Sequence, residues 1–124
     1  MAIFRITQLQ QQAQRMALQL PKPVELYFAV DNSNDPNDLD LCLAADATVR
    51  DEGHTHLGLD AIKRWKAETK EKYGHTIEPL QAEERDGRIA VKGRVTGNFP
   101  GSPIVLTFVF LLADGRIKEL EIHG

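Results

Sequence analysis

The sequence of 124 residues is short of several things at once. Cysteine occurs once, at Cys42, which excludes an internal disulfide and a cysteine cluster for zinc. Cys42 lies among Leu41, Leu43 and Ala44, where a thiol reads as a small buried hydrophobe rather than a nucleophile. No apolar run approaches the ~20 residues needed to cross a bilayer. The N-terminal stretch MAIFRITQLQQQAQRMALQL lacks the continuous apolar core of a secretory signal, being interrupted by glutamines and arginines. Basic residues are in the minority, with 15 Lys and Arg against 18 Asp and Glu and a net charge of −3, so nothing favours nucleic acid electrostatically. A glycine-rich nucleotide loop, a nucleophile elbow and a basic aromatic patch are all missing, as are internal repeats and low-complexity linkers. The length suits one domain with one core, and cytoplasmic residence is the default expectation.

What is present begins with an N-terminal extension over residues 1–21. Ile3, Ile6, Leu9, Ala13, Met16 and Leu20 recur at helical steps, a stripe that could dock on a neighbour or a second subunit. Met16 opens MALQLPKP and reads equally as the true start. From residue 22 the pattern is firmer. A helix starts near Pro23, tolerated in the first turn, with Val24, Tyr27, Phe28 and Asp31 on one stripe. DNSNDPND then breaks the chain, and a short helix is predicted over about 36–44, capped by Asp35 and presenting Leu39, Cys42 and Leu43.

Residues 47–52 alternate as a strand, and its parity puts Asp51 on the same face as Ala47 and Val49. A carboxylate therefore continues an apolar row. Gly53 bends the chain, so the parity does not carry to His54 and His56. The strongest helix covers 59–73, with Ile62, Trp65, Thr69 and Tyr73 on one face and Gly74 as its stop. Four strands follow, with hairpin turns at Asp86–Gly87 and Asp114–Gly115. The segment IVLTFVFLLA is apolar on both faces and asks for cover on both. Phe108 and Phe110 share one of its faces, and Val105, Thr107, Val109 and Leu111 the other; only one set can face a cavity, and the pattern does not say which. Helices early and strands late favour α+β.

In this order, YFAVDNSND on the first helix, LAADATVRDEG entering the first strand, GLDAIKRW on the third helix and TGNFPGSPIVLTFVFLLADGRIKELEI in the last hairpin resemble the nuclear-transport-factor-2-like superfamily, especially its SnoaL-like and ketosteroid-isomerase-like members. The resemblance covers about residues 22–123, so the SnoaL-like domain is set at 22–124. It implies a cone-shaped, curved antiparallel sheet of the cystatin-like type, wrapped by three helices around an apolar pocket, and homodimers formed through the sheet face. It also implies roles. Asp51, in ATVRD, stands where the isomerases carry a general-base aspartate, and Tyr27 is similar to their oxyanion-donating tyrosine. Their second donor falls near Thr107, a weaker hydrogen-bond donor. The fold carries isomerases, dehydratases, cyclases, hydrolases and non-catalytic binding modules, so it does not by itself name an activity.

Each candidate has a plain alternative. Asp51 could be a strand-end carboxylate bonded to backbone amides or paired with an arginine, and Tyr27 a core aromatic. His54–Thr55–His56 puts two imidazoles at a spacing that can suit zinc, with His75 and His123 as distant third ligands; the reading preferred is no metal, with His54 as an acid–base partner of Asp51. Phe28, His56, Trp65, Phe108 and Thr107 are the expected substrate contacts, and core packing is the alternative for Trp65. The function expected is cofactor-free proton transfer on a small apolar carbonyl or enol compound: isomerisation, dehydration or cyclisation. Two alternatives stand beside it. One is a non-catalytic module that binds a hydrophobic ligand or a partner; the other is a cone filled by its own aromatics.

Overall fold

Helix α1, Lys22–Asn32, opens as the sequence predicts, with Pro23 in its first turn and Glu25 placed to favour the positive end of the helix. The computed structural model describes residues 18–33 and 35–124. The helix expected along residues 3–20 lies outside these, apart from 18–20, which are not helical. α1 buries Val24, Tyr27, Phe28, Val30 and Asp31. Its end is tied to the sheet by Asn32, whose Nδ2 donates to the Ile77 carbonyl (2.8 Å) and whose Oδ1 accepts from the Ile77 amide (2.7 Å). The side-chain amide thus imitates one rung of a β-ladder.

The second helix is a 3₁₀ turn, Pro36–Leu41, shorter than the 36–44 expected, because the chain turns extended at Leu43. Asp35 caps it as anticipated, with its Oδ1 accepting from the Asn37 amide at 3.0 Å. Leu39, Cys42 and Leu43 are buried there. Strand β1, Leu43–Asp51, turns through Glu52 and Gly53, both at positive φ, into the short strand β2, His54–Leu57. Helix α2, Leu59–Tyr73, follows and ends on Gly74 in the left-handed conformation, whose amide donates to Lys70. Strands β3 (Thr76–Arg85), β4 (Arg88–Thr96), β5 (Ile104–Ala113) and β6 (Arg116–His123) complete the chain, and both Asp–Gly turns between them carry positive φ at both residues, as type I′ hairpins require.

The strands form one curved, unclosed sheet of six in the order β2-β1-β6-β5-β4-β3. The sheet is antiparallel except where β1 runs parallel to β6. That pair arises because β1 is followed by its own hairpin and by α2, and β6 then returns to its free edge. Tyr27, Phe28, Phe108 and Phe110 meet edge to face, with ring centroids 5.4–5.7 Å apart, and fill the narrow end between α1 and the sheet. Gly93 permits the close approach of β3 and β5 over β4: a Cβ there would stand 2.9 Å from Ile77 Cγ2 and 3.0 Å from Phe108 Cε1. No helix of the described residues is long and apolar enough to cross a membrane.

Candidate functional site

Strand parity decides what the wide end of the cone presents. On β5, Phe108 and Phe110 face the helices, together with Leu106; Val105, Thr107, Val109 and Leu111 face out. Register then lays a row across the inner face. Asp51 pairs with Ile122 on β6, Ile122 with Phe108 on β5, and Phe108 with Val91 on β4. A carboxylate thus ends a row of apolar side chains, as the alternation in ATVRD requires.

Above this row lies a cavity of about 350 Å³. Its floor is Ile77, Val95, Ile104, Leu106, Phe108 and Ile122; α2 contributes Trp65, Lys66, Thr69 and Tyr73; Asp51 and Glu52 stand at one end, His75 at the start of β3, and Phe99 and Pro100 form the rim. The helical spacing Trp65–Thr69–Tyr73 thus marks a cavity wall, whereas Ile62 on the same stripe is core. Among the described residues, no aromatic side chain fills the space beside Asp51.

The expected site residues divide. Asp51, Trp65 and Phe108 line the cavity. Phe28 packs behind Phe108. Thr107 is on the outer face, in register with Lys92 and His123, because strand neighbours alternate. Tyr27 has no exposed surface, and its hydroxyl has no partner among the described residues. Burial, with the charges of Asp31, Cys42 and Asp51, pushes its pKa well above the usual phenol value. His54 sits opposite Asp51 in the β1–β2 ladder, exposed and outside the cavity lining. His56, opposite Val49, stacks on the Trp65 ring at 4.9 Å and 22°; its Nε2 is buried with no partner among the described residues. Both imidazoles are therefore on the inner face. Among the described residues no three His, Cys, Asp or Glu side chains gather as metal ligands.

The electrostatics of Asp51 follow from this position. Burial raises its pKa first and the neighbouring Glu52 carboxylate second, against opposing pulls from Lys66, His56 and His54. His56 moves down, chiefly through burial.

Three charged or titratable residues of the cavity region form a cluster that the sequence did not indicate, His75 having been considered only as a distant metal ligand. Asp31, Lys66 and His75 are all buried. Lys66 Nζ donates to Asp31 Oδ1, and His75 Nε2 lies 3.2 Å from Asp31 Oδ2. Lys70 Nζ braces the cluster from outside, donating to the carbonyls of Asp31 (2.7 Å) and His75. Burial alone would raise Asp31, but the Lys66 charge and the His75 hydrogen bond outweigh it and hold the carboxyl well below its usual range. The one sequence signal was Asp31 itself, an acid on the apolar stripe of α1.

This fold and cavity define an α+β cone of the nuclear-transport-factor-2-like type. The chain belongs to the SnoaL-like domain family, whose model matches residues 24–120. A candidate polyketide cyclase from Sinorhizobium meliloti is 42% identical, with a TM-score of 0.80 over 84% of this chain and 95% of its own. A Catenulispora acidiphila protein with a ketosteroid-isomerase-like fold, solved with trimethylamine, is 21% identical with a TM-score of 0.75 over 86% of this chain and 87% of that one. The orange carotenoid protein of Anabaena, solved with canthaxanthin, is 24% identical with a TM-score of 0.72 over 85% of this chain and 36% of its own. These last two are similar in fold alone. No curated protein matches the sequence.

Proposed function

We propose that the protein is a cofactor-free enzyme that moves protons on a small apolar carbonyl or enol compound, by isomerisation, dehydration or cyclisation, with Asp51 as general base. The observation that carries this reading is Asp51 in register with Ile122 and Phe108 at the floor of an apolar cavity, its pKa raised by burial toward the working range of a base. The register of His54 opposite Asp51 and its exposure support a role for it in passing protons between Asp51 and solvent. The likeness to the Sinorhizobium candidate cyclase supports the same class of chemistry.

A second reading, a non-catalytic binder of a hydrophobic ligand, is favoured by the apolar cavity floor and by the carotenoid-holding neighbour of the same fold. A thermal-shift screen with apolar ketones, enones and aromatic polyketide-like compounds, run on wild type and Asp51→Asn together, separates them, because a ligand of the native state raises the melting temperature. An enzyme converts a hit that the Asn variant only binds. A binder holds the hit equally in both and turns over nothing. The outer sheet face, with Val105 46% exposed, supports the homodimer that the family resemblance implies; sedimentation of wild type and Val105→Glu tests it.

A further inference from the structure

We infer that Lys66 is the anion-binding group of this cavity, so that the ligand joins an apolar body to one oxygen that is negatively charged when bound or becomes so in the reaction. This deepens the reading of the cavity as a ligand site given above.

The geometry is that of a held cation rather than a simple structural ion pair. Lysine is seldom buried, and a buried ammonium needs partners for its charge and its three N–H groups. Here Asp31 accepts from one side, the Tyr27 and Trp65 rings flank the charge at 4.9 and 4.5 Å, and no second acceptor is present among the described residues. The side chain nevertheless lines the ligand cavity instead of being sealed behind it. Asp31 is fixed in turn by His75, and its backbone carbonyl by Lys70, so the ammonium has little freedom to leave. A cation pre-oriented in an apolar wall, with donors to spare, suits an oxyanion.

The charge balance across the cavity agrees. Lys66 lowers the proton affinity of Asp51, so the two share one electrostatic neighbourhood. When Asp51 takes a proton from carbon next to a carbonyl, the C–H electron pair passes through the new C=C bond to the carbonyl oxygen. One negative charge leaves Asp51 and reappears on that oxygen, where an N–H of Lys66 receives it. Return of the proton from Asp51 to another carbon restores the carboxylate. An acid such as a carboxylate or phenolate would occupy the same donor with its charge already in place.

Binding tests this without any turnover. The probes are 2-naphthoate and its methyl ester, alike in shape and different in charge at neutral pH. Trp65, in the cavity wall and the only tryptophan, reports occupancy. Proteins are wild type and Asp51→Asn, each with and without Lys66→Met; Asp31→Asn is added to the Lys66→Met proteins so that no bare carboxylate is left buried. Roughly tenfold preference for the anion over its neutral partner is expected, falling to parity without Lys66. Preference already in wild type assigns a preformed anion. Preference confined to Asp51→Asn, which imitates the protonated base, assigns an enolate formed in the reaction. Preference in neither background, or preference that survives loss of Lys66, overturns the proposal. A failure here leaves the role of Asp51 in turnover to its own experiment.

Discussion

Lys66 on α2 and Asp31 on α1 form an ion pair whose side chains are 8% and 1% exposed, and they join the two helices at the cavity wall. Removing one partner strands the other charge in a dry place. Asp31→Asn or Lys66→Met alone should lower the unfolding free energy by about 3–5 kcal/mol, while the double replacement recovers much of that loss. Urea midpoints at neutral pH decide it. A single variant within about 1 kcal/mol of wild type would mean that the pair is not under this constraint.

Asp31 also sets an acid limit. Its folded pKa is depressed, so the stability it contributes is present above the unfolded value and is lost as pH falls through the folded one. The window therefore opens below about pH 4. Melting temperature against pH should fall there in wild type and flatten in Asp31→Asn. Equal slopes in both proteins would remove Asp31 as the source.

Asp51 has the opposite sign. Its folded pKa is raised, so its contribution is fully present below the unfolded value and is lost as pH rises through the folded one; at neutral pH the ionised carboxylate is a burden on the fold. Asp51→Asn should accordingly melt higher than wild type at pH 7, with the gain disappearing in acid. In an enzyme the same group gives the rate its acid limb, with kcat falling as pH drops through a value above the ordinary aspartate range. A variant that melts lower at pH 7 would contradict the assignment of the shift to burial.

The stack of His56 on Trp65 supplies an optical titration. Burial lowers the His56 pKa, so the fluorescence of the only tryptophan should change with a midpoint below the ordinary histidine value of about 6.5. His56→Gln should abolish the transition. A midpoint above that value, or one that persists in the variant, would point to another group.

Local chemistry explains what could be read without coordinates. The Pro23 start, the Asp35 cap, the Gly74 stop and the two Asp–Gly turns each depend on residues adjacent in the chain, and each is found where the pattern put it. The parity of Asp51 was legible for the same reason. The parallel pairing of β1 with β6 was not, because no local feature of either strand encodes its neighbour. The Asp31–Lys66–His75 cluster was hidden more deeply. In sequence, Lys66 is one charge among many on α2, and His75 merely follows a helix stop. The clasp of Asn32 on Ile77 and the Lys70 bridge between the Asp31 and His75 carbonyls bring the end of α1 to the start of β3 and make one group of them. Thr107 shows the converse. Its position in the chain suggested a donor in the pocket, but a single step of strand parity turns it to the other side.

The ladder between β1 and β6 has a consequence in time. It sets Asp51 beside Ile122, so two segments far apart in the chain must meet before Asp51 has its apolar neighbour. Closing so long a loop adds only slowly to the entropic penalty, since that grows with the logarithm of length. Its weight falls on speed, because contacts between distant segments slow the search for the native arrangement. No fragment ending before β6 sets Asp51 and Ile122 side by side, so this corner of the cavity is completed only when the last strand has docked.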